Sequence, residues 1–190
     1  ILKDKYFLKE GHKVGILSRN HSSMIKALFA ISRVGGDIYL LNPEMSKGQL
    51  SALVEEHAFH LLIYDEELAG SHHYLLPINN LRQLPMAGSL NIKPTSGSKL
   101  VLLTGGTTGK AKKAAHKPSL FNYLNPFLDL LTRLRLMDYS TVYIATPLYH
   151  GYGIAFLLLF MALGKKVIIQ QRFNPEQACQ IISKHQVEVL

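Results

Sequence analysis

Short apolar runs of four or five residues alternate with longer segments of helical period along most of this 190-residue chain. Val14-Gly15-Ile16-Leu17-Ser18 reads as a strand ended by the turn formers Arg19-Asn20. From Ser22 or Ser23, the residues Met24, Ala27, Leu28, Ile31 and Val34 recur at helical spacing, and Gly35-Gly36 stops the helix. A second strand is predicted over Ile38 to Leu41. Ser46 then caps a helix with Leu50, Leu53, Val54 and His57 on one face, and His60 to Tyr64 forms a third strand. Beyond residue 98 the pattern predicts a strand over Lys99 to Leu103, another over Lys113 to His116 and a helix over Ser119 to Arg135. It continues with a strand over Thr141 to Ala145, an apolar helix over Tyr152 to Leu163 and a strand over Lys165 to Ile169. A helix over Pro175 to His185, with proline in its first turn, precedes a strand starting at Val187. Strands separated by single helices need right-handed crossovers. The expected fold is therefore α/β, a mostly parallel β-sheet with helices on both faces.

The chain is long enough for one large domain at about 150 residues per domain, here divided into three parts. Residues 1–65 hold the first βα units and 99–190 the later half. The intervening 66–98, with Pro77, Pro85, Pro94 and the Ser96-Gly97-Ser98 turn, reads as an irregular connection with a short strand near Tyr74 to Ile78. Composition narrows the function classes. At 47% hydrophobic and 18% charged residues the chain can bury a core, which excludes disorder. A single cysteine, Cys179, excludes a disulfide framework and a Cys-rich zinc site, and its place in an amphipathic helix reads as a small buried apolar residue. His72-His73 has no partner at metal spacing, so no metal site is expected in the chain. The apolar run Ile154 to Leu163 is about half the roughly 20 residues a membrane span needs, so no transmembrane segment is expected. Phe156, Leu157 and Phe160 within it read as core. A start at Ile1 and a strand interrupted at Leu190 suggest part of a longer chain.

A formal charge of +8 favours a polyanionic partner. No zinc-finger spacing, aromatic RNA-binding pattern or basic heptad region is present, so nucleic acid is not expected. The compact basic cluster is Lys110, Lys112, Lys113 and Lys117, directly after a Gly/Thr run. In Leu102-Leu103-Thr104-Gly105-Gly106-Thr107-Thr108-Gly109-Lys110-Ala111-Lys112 an apolar strand runs into three glycines and three threonines. Glycines let backbone N–H groups converge on an anion, threonine hydroxyls add donors, and lysine adds charge. Each charge-assisted hydrogen bond to phosphate contributes about 1.5–3 kcal/mol. A Walker A loop is excluded, because its first glycine position is Thr104 and the residue after Lys110 is Ala111. The dinucleotide fingerprint fails as well, with Thr104 two residues before Gly106.

The run Thr-Gly-Gly-Thr-Thr-Gly-Lys-Ala-Lys resembles the phosphate-binding signature of the adenylate-forming superfamily, which includes acyl- and aryl-CoA synthetases, nonribosomal peptide adenylation domains and luciferases. The likeness extends over the chain. Gly11 to Asn20 looks like that family's first strand, Val34-Gly35-Gly36 and Leu41-Asn42-Pro43 like its next helix end and strand, and His116 holds the histidine position after the loop. Thr146-Pro147-Leu148-Tyr149-His150-Gly151-Tyr152-Gly153 looks like its downstream aromatic-histidine motif. Gly105, Ala111 and Lys113 depart from the usual serine, proline and glycine.

The resemblance implies the N-terminal part of an AMP-binding, acyl-CoA synthetase-like large domain. In it a carboxylate attacks the α-phosphate of ATP, and a thiol, usually coenzyme A, then displaces AMP from the acyl-adenylate. Thr104, Gly105, Gly106, Thr107, Thr108, Gly109, Lys110 and Lys112 would hold ATP, with Lys112 and His150 in catalytic roles. His150, Gly151, Tyr152 and Gly153 would line the acid pocket, and His116 would be structural. Mg2+ would be held by an acidic residue beyond Leu190, together with the C-terminal domain, so the remainder of its own chain is an expected partner. The implied activity is ligation of a fatty or aromatic acid to CoA, in the cytoplasm or peripherally on a membrane, with these 190 residues inactive by themselves. Two alternatives stay open: an adenylation domain loading a carrier-protein thiol, and a catalytically silent nucleotide-binding module.

Overall fold

The computed structural model describes residues 2–68, 75–77, 97–103 and 129–190. Every strand pairing among them is parallel. The chain divides into two units, residues 1–103 with 147–151, and 104–146 with 152–190.

In the first unit β1 (Lys13–Leu17), β2 (Asp37–Leu41), β3 (Leu61–Tyr64), β4 (Leu75–Pro77) and β5 (Leu100–Leu102) form one sheet in the order β4-β3-β1-β2-β5. Helix α1 (Ser22–Val34) connects β1 to β2, and α2 (Lys47–His57) connects β2 back across β1 to β3. These two steps run in opposite directions across the sheet, so right-handed crossovers place the two helices on opposite faces. Both faces are apolar. Val14, Ile16, Ile38, Leu40, Leu61 and Ile63 share one side by register and are all buried. On the other side Leu17, Leu41, Leu62 and Tyr64 cluster with Leu50 of α2, and Leu53, Val54, Phe59 and Leu103 pack around them. Gly15 belongs to this second side because space requires it: a Cβ there would meet Leu62 Cδ1 at 2.6 Å.

The helix ends follow local chemistry. Gly35 closes α1 in the left-handed conformation at φ 85° and donates its N–H to Ile31 and Ser32. Ser46 and Gln49 form the reciprocal capping box that starts α2. Both ends agree with the sequence expectation.

In the second unit β6 (Thr141–Ile144) pairs with β7 (Lys166–Ile169), and Val189 adds an isolated parallel bridge to Val142 on the other edge. Glu188 holds that bridge in place: one carboxylate oxygen accepts from the Ser140 amide at 2.7 Å, the Ser140 hydroxyl at 2.8 Å and the Thr141 amide at 2.9 Å. These hydrogen bonds hold the Glu188 carboxyl below its usual range. Helix α3 (Gly151–Ala162) precedes β7, and α4 (Pro175–His185), capped by Asn174, follows it.

The described strands form a five-stranded and a two-stranded sheet, all parallel and with connecting helices, the α/β class that the sequence pattern implied. Three smaller expectations change. Helix is described over 129–133, and Arg135 turns left-handed at φ 50°, so that helix ends before the expected Arg135. Cys179 is exposed, because the inward side of α4 carries Ala178 with Ile181 and Ile182, about 100° around the helix from it. Leu157 and Phe160 are buried as expected, but Phe156, stacked on Phe160 at 5.9 Å, is exposed. The expected strand over residues 113–116, the first part of the helix over 119–135, and His72-His73 lie outside the described residues. No described helix is long and apolar enough to cross a membrane.

Candidate active site

Parallel strands deliver their following loops to one edge of the sheet, and the polar residues of the first unit gather there. β1 leads into Ser18-Arg19-Asn20-His21, β2 into Asn42-Pro43-Glu44, and β3 into Asp65. Asp65 is the anchor. Its Oδ1 lies 2.7 Å from His21 Nε2, and its Oδ2 accepts from the Arg19 amide at 2.9 Å and the Ser18 hydroxyl at 3.2 Å. Burial alone would push this carboxyl up. The hydrogen bonds from His21, the Arg19 amide and Ser18, with the attraction of the nearby imidazole, outweigh burial and hold it below the usual carboxylate range. Ser18, Arg19, Asn20, His21 and Asp65 are all buried.

The trio Ser18, His21 and Asp65 invites comparison with a nucleophilic triad, but its geometry excludes one. A triad needs the serine and the carboxylate on opposite nitrogens of the imidazole. Here Ser18 Oγ, at 3.0 Å, and Asp65 Oδ1 both meet Nε2, and buried Nδ1 has no hydrogen-bond partner among the described residues. The Ser18 hydroxyl also lies within donating distance of the Arg19 carbonyl, at 2.8 Å. This arrangement locks a loop. Arg19 extends the lock outward with an ion pair to Glu44 at 2.8 Å and a longer one to Glu67 at 3.9 Å.

The motif around His150 joins this edge. The Asn20 side-chain oxygen accepts from the Leu148 amide at 2.8 Å across 128 positions of sequence. Leu148 is fully buried, and the His150 amide closes a turn onto the Pro147 carbonyl at 3.1 Å. At the other end of the segment, a Cβ on Gly151 would sit 3.5 Å from Leu102 Cδ1, at the end of β5. The order β1-β2-β5 in the sheet therefore means that residues 147–151 run across the carboxyl ends of three adjacent strands. Tyr149 sits half-buried between neighbouring loops. Burial and the Glu44 carboxylate raise its phenol, partly offset by the Arg19 guanidinium. Its ring packs against that of His150 at 4.4 Å, and His150 itself is exposed.

Of the residues expected from sequence, Gly151, next to His150, is brought to the exit of β5, the strand that leads to the Gly/Thr run. Tyr152 is exposed at the first turn of α3 and Gly153 is buried. Thr104, Gly105, Gly106, Thr107, Thr108, Gly109, Lys110 and Lys112 lie outside the described residues, as does His116. The sequence reading missed the Ser18–His21–Asp65 network and Asn20. The available signal was a run of polar residues directly after an apolar strand, which looks the same as a solvated turn. No group of three His, Cys, Asp or Glu that could hold a metal ion occurs among the described residues.

A parallel sheet with its polar loops at the carboxyl edge, and a Gly/Thr/Lys run that follows β5 in sequence, defines an α/β domain of the kind that commonly binds ligands at its strand ends. The chain belongs to the AMP-binding enzyme family, whose model matches residues 6–190. It is 26% identical over 189 residues to the 2-succinylbenzoate–CoA ligase of Bacillus pumilus (strain SAFR-032), covering 96% of this chain and 38% of that protein. Its fold is similar to the o-succinylbenzoate CoA synthetase of Bacillus subtilis solved with AMP, with TM-score 0.78, 23% identity, and 96% of this chain and 49% of that one covered. The same synthetase solved with ATP and magnesium ion gives TM-score 0.73 at 20% identity, covering 97% and 51%. The chain thus spans well under half the length of the curated relative.

Proposed function

We propose that this protein is an ATP-dependent acid–CoA ligase whose acid is an aromatic carboxylate of the succinylbenzoate type. The observation that carries the reading is the family match over 6–190 with the Thr104–Lys112 run in place and a succinylbenzoate–CoA ligase as a 26% identical relative. The fatty-acid alternative has weaker support, since the curated relative acts on an aromatic acid.

The chemistry proceeds in two balanced steps. A carboxylate oxygen of the acid attacks the α-phosphorus of ATP, the bond to the β-phosphate oxygen breaks, and pyrophosphate leaves. The CoA thiol, losing its proton, then attacks the acyl carbonyl, and AMP departs with the former carboxylate oxygen. Negative charge grows on the leaving pyrophosphate in the first step, so preorganised donors around the β- and γ-phosphates lower the barrier. In this reading the amides of Gly105, Gly106 and Gly109 and the hydroxyls of Thr104, Thr107 and Thr108 supply those donors. Lys112 supplies charge, and Lys110 adds to the same field. Tyr149 and His150 stand at the acid end beside Gly151, Tyr152 and Gly153. Magnesium, when bound, neutralises phosphate charge; no side chain of this chain is assigned to it.

The test is ATP–pyrophosphate exchange by the protein expressed from its natural gene, across succinylbenzoate, benzoate, fatty acids and amino acids. Exchange stimulated by succinylbenzoate or another aryl acid, followed by thioester formation with CoA, is expected. Exchange only with amino acids would replace this reading with carrier-protein loading, and ATP binding without exchange would leave a silent nucleotide-binding module. The 190-residue chain by itself is expected to give no thioester.

A further inference from the structure

The polar network at the ends of β1 and β3 has a consequence for the His150 segment. Residues 147–151 carry Tyr149, His150 and Gly151 of the proposed acid site, and the Leu148 amide donates to the Asn20 side-chain oxygen of the β1 loop at 2.8 Å. Asn20 is itself buried, with 6% of its surface exposed. Its backbone lies between two residues tied to Asp65: the Arg19 amide donates to Oδ2 at 2.9 Å and His21 Nε2 meets Oδ1 at 2.7 Å. Asp65 grips both neighbours of Asn20, so the amide side chain projects from a loop with little freedom to move. The backbone beyond it is short. Leu148 is followed by Tyr149, whose environment includes Arg19 and Glu44, and then by His150, whose amide closes the turn onto Pro147.

We infer that Asn20 is a positioning residue for the adenylation step: through Leu148 it fixes the turn that holds Tyr149 beside the β1 and β2 loops and leads through His150 to Gly151 at the carboxyl end of β5. The inference rests on the ligase reading above for its catalytic consequence, but its geometric content stands on the hydrogen bond and the buried network. Asn20 touches neither nucleotide nor acid in this account. It acts by removing alternative placements of the His150 turn, which in a positioned reaction is worth more in kcat than in nucleotide affinity. A buried N–H deprived of its acceptor would drive the segment to other arrangements.

The experiment uses the protein expressed from its natural gene, with Asn20→Ala, Asn20→Asp, and Gly35→Ala as a control. Gly35 closes α1 at the opposite edge of the sheet and its φ of 85° makes alanine unfavourable, so this variant loses stability without touching the site. Asn20→Ala is expected to speed hydrogen exchange at the Leu148 amide by about tenfold or more. It should also lower kcat for acid-dependent pyrophosphate exchange by about tenfold while leaving the KM for ATP within about twofold. Asn20→Asp keeps an acceptor oxygen and should recover slow Leu148 exchange and part of the kcat. Gly35→Ala should lower the melting temperature with kcat unchanged. Unaltered Leu148 exchange in Asn20→Ala, or a kcat loss matched by Gly35→Ala at equal destabilisation, would overturn the inference. Absence of exchange with every acid in the wild type would instead defeat the ligase reading, while Leu148 exchange would still decide the strut.

Discussion

Replacing Asp65 by asparagine tests whether the buried network holds the carboxyl edge of the first sheet together. The two side chains have the same shape, so the change is one of charge and donor pattern. Asp65 presents one oxygen to His21 Nε2 and the other to the Arg19 amide and Ser18 hydroxyl. Asparagine keeps a single acceptor oxygen. With that oxygen towards Arg19 and Ser18, its NH2 group faces His21, which can accept only by moving its proton to Nδ1. That nitrogen is buried and has no partner among the described residues. The relief at one nitrogen therefore creates an unpaired donor at the other, costing about 1–3 kcal/mol, in addition to the lost charge assistance. A net loss of about 2–3 kcal/mol follows, which for a domain of this size lowers the melting temperature by roughly 4–10 °C.

The pH dependence sharpens the test. The folded-state value of Asp65 is lowered, so its contribution is fully present above about pH 5 and is lost as pH falls below about 4. Urea midpoints of wild type and Asp65→Asn should differ clearly at pH 7, and the gap should narrow steadily between about pH 4.5 and pH 3. Equal midpoints at pH 7, or a gap that does not change on acidification, would show that the carboxylate does not anchor this edge.

Three further outcomes are expected. Lys112→Ala should reduce acid-dependent ATP–pyrophosphate exchange by about tenfold or more, with an unchanged urea midpoint, since it removes a charge-assisted contact from the proposed phosphate seat. Gly15→Ala should cost about 1–3 kcal/mol in urea denaturation, because its Cβ would meet Leu62 Cδ1 at 2.6 Å inside a packed cluster. Gly151→Ala should be tolerated in both stability and exchange, since a Cβ there makes an ordinary 3.5 Å contact with Leu102, whereas Gly151→Val should crowd that strand end and slow exchange.

What could be read from the sequence was what local chemistry decides. The apolar alternation placed β1, β2 and β3 within a residue of their observed bounds, and Ser46 and Gly35 marked helix ends that capping fixes within three or four positions. The Thr104–Lys112 run pointed to the family because its residues are contiguous in sequence. Burial of polar residues was not legible, because it depends on distant partners. Arg19-Asn20 read as a turn, yet Asp65 lies 46 residues from Arg19, and Leu148 lies 128 residues from Asn20. Cys179 failed for a narrower reason. Membership in an amphipathic helix does not say which side a residue takes, and Ala178, one position earlier, faces inward instead.

The same distant pairings bear on where a ligand can sit. The order β4-β3-β1-β2 places a topological switch point between β1 and β3, where the chain first moves one way across the sheet and then the other. Open parallel sheets commonly bind ligands in the crevice at that point. Here Ser18, Arg19, His21 and Asp65 occupy it, each buried, with the Asp65 carboxylate hydrogen-bonded to Ser18, the Arg19 amide and His21. Opening the crevice to a ligand would strand at least the Asp65 carboxylate and the Arg19 amide, so the network closes it. The His150 turn lies along the next strands, crossing β2 and meeting the end of β5 at Leu102. The strand added beyond β2 is the one that continues into the Gly/Thr/Lys run. The position of β5 beside β2, and parallel to it, therefore brings the His150 turn to the strand end that precedes the Gly/Thr/Lys run in sequence, which is where the proposed reading needs it.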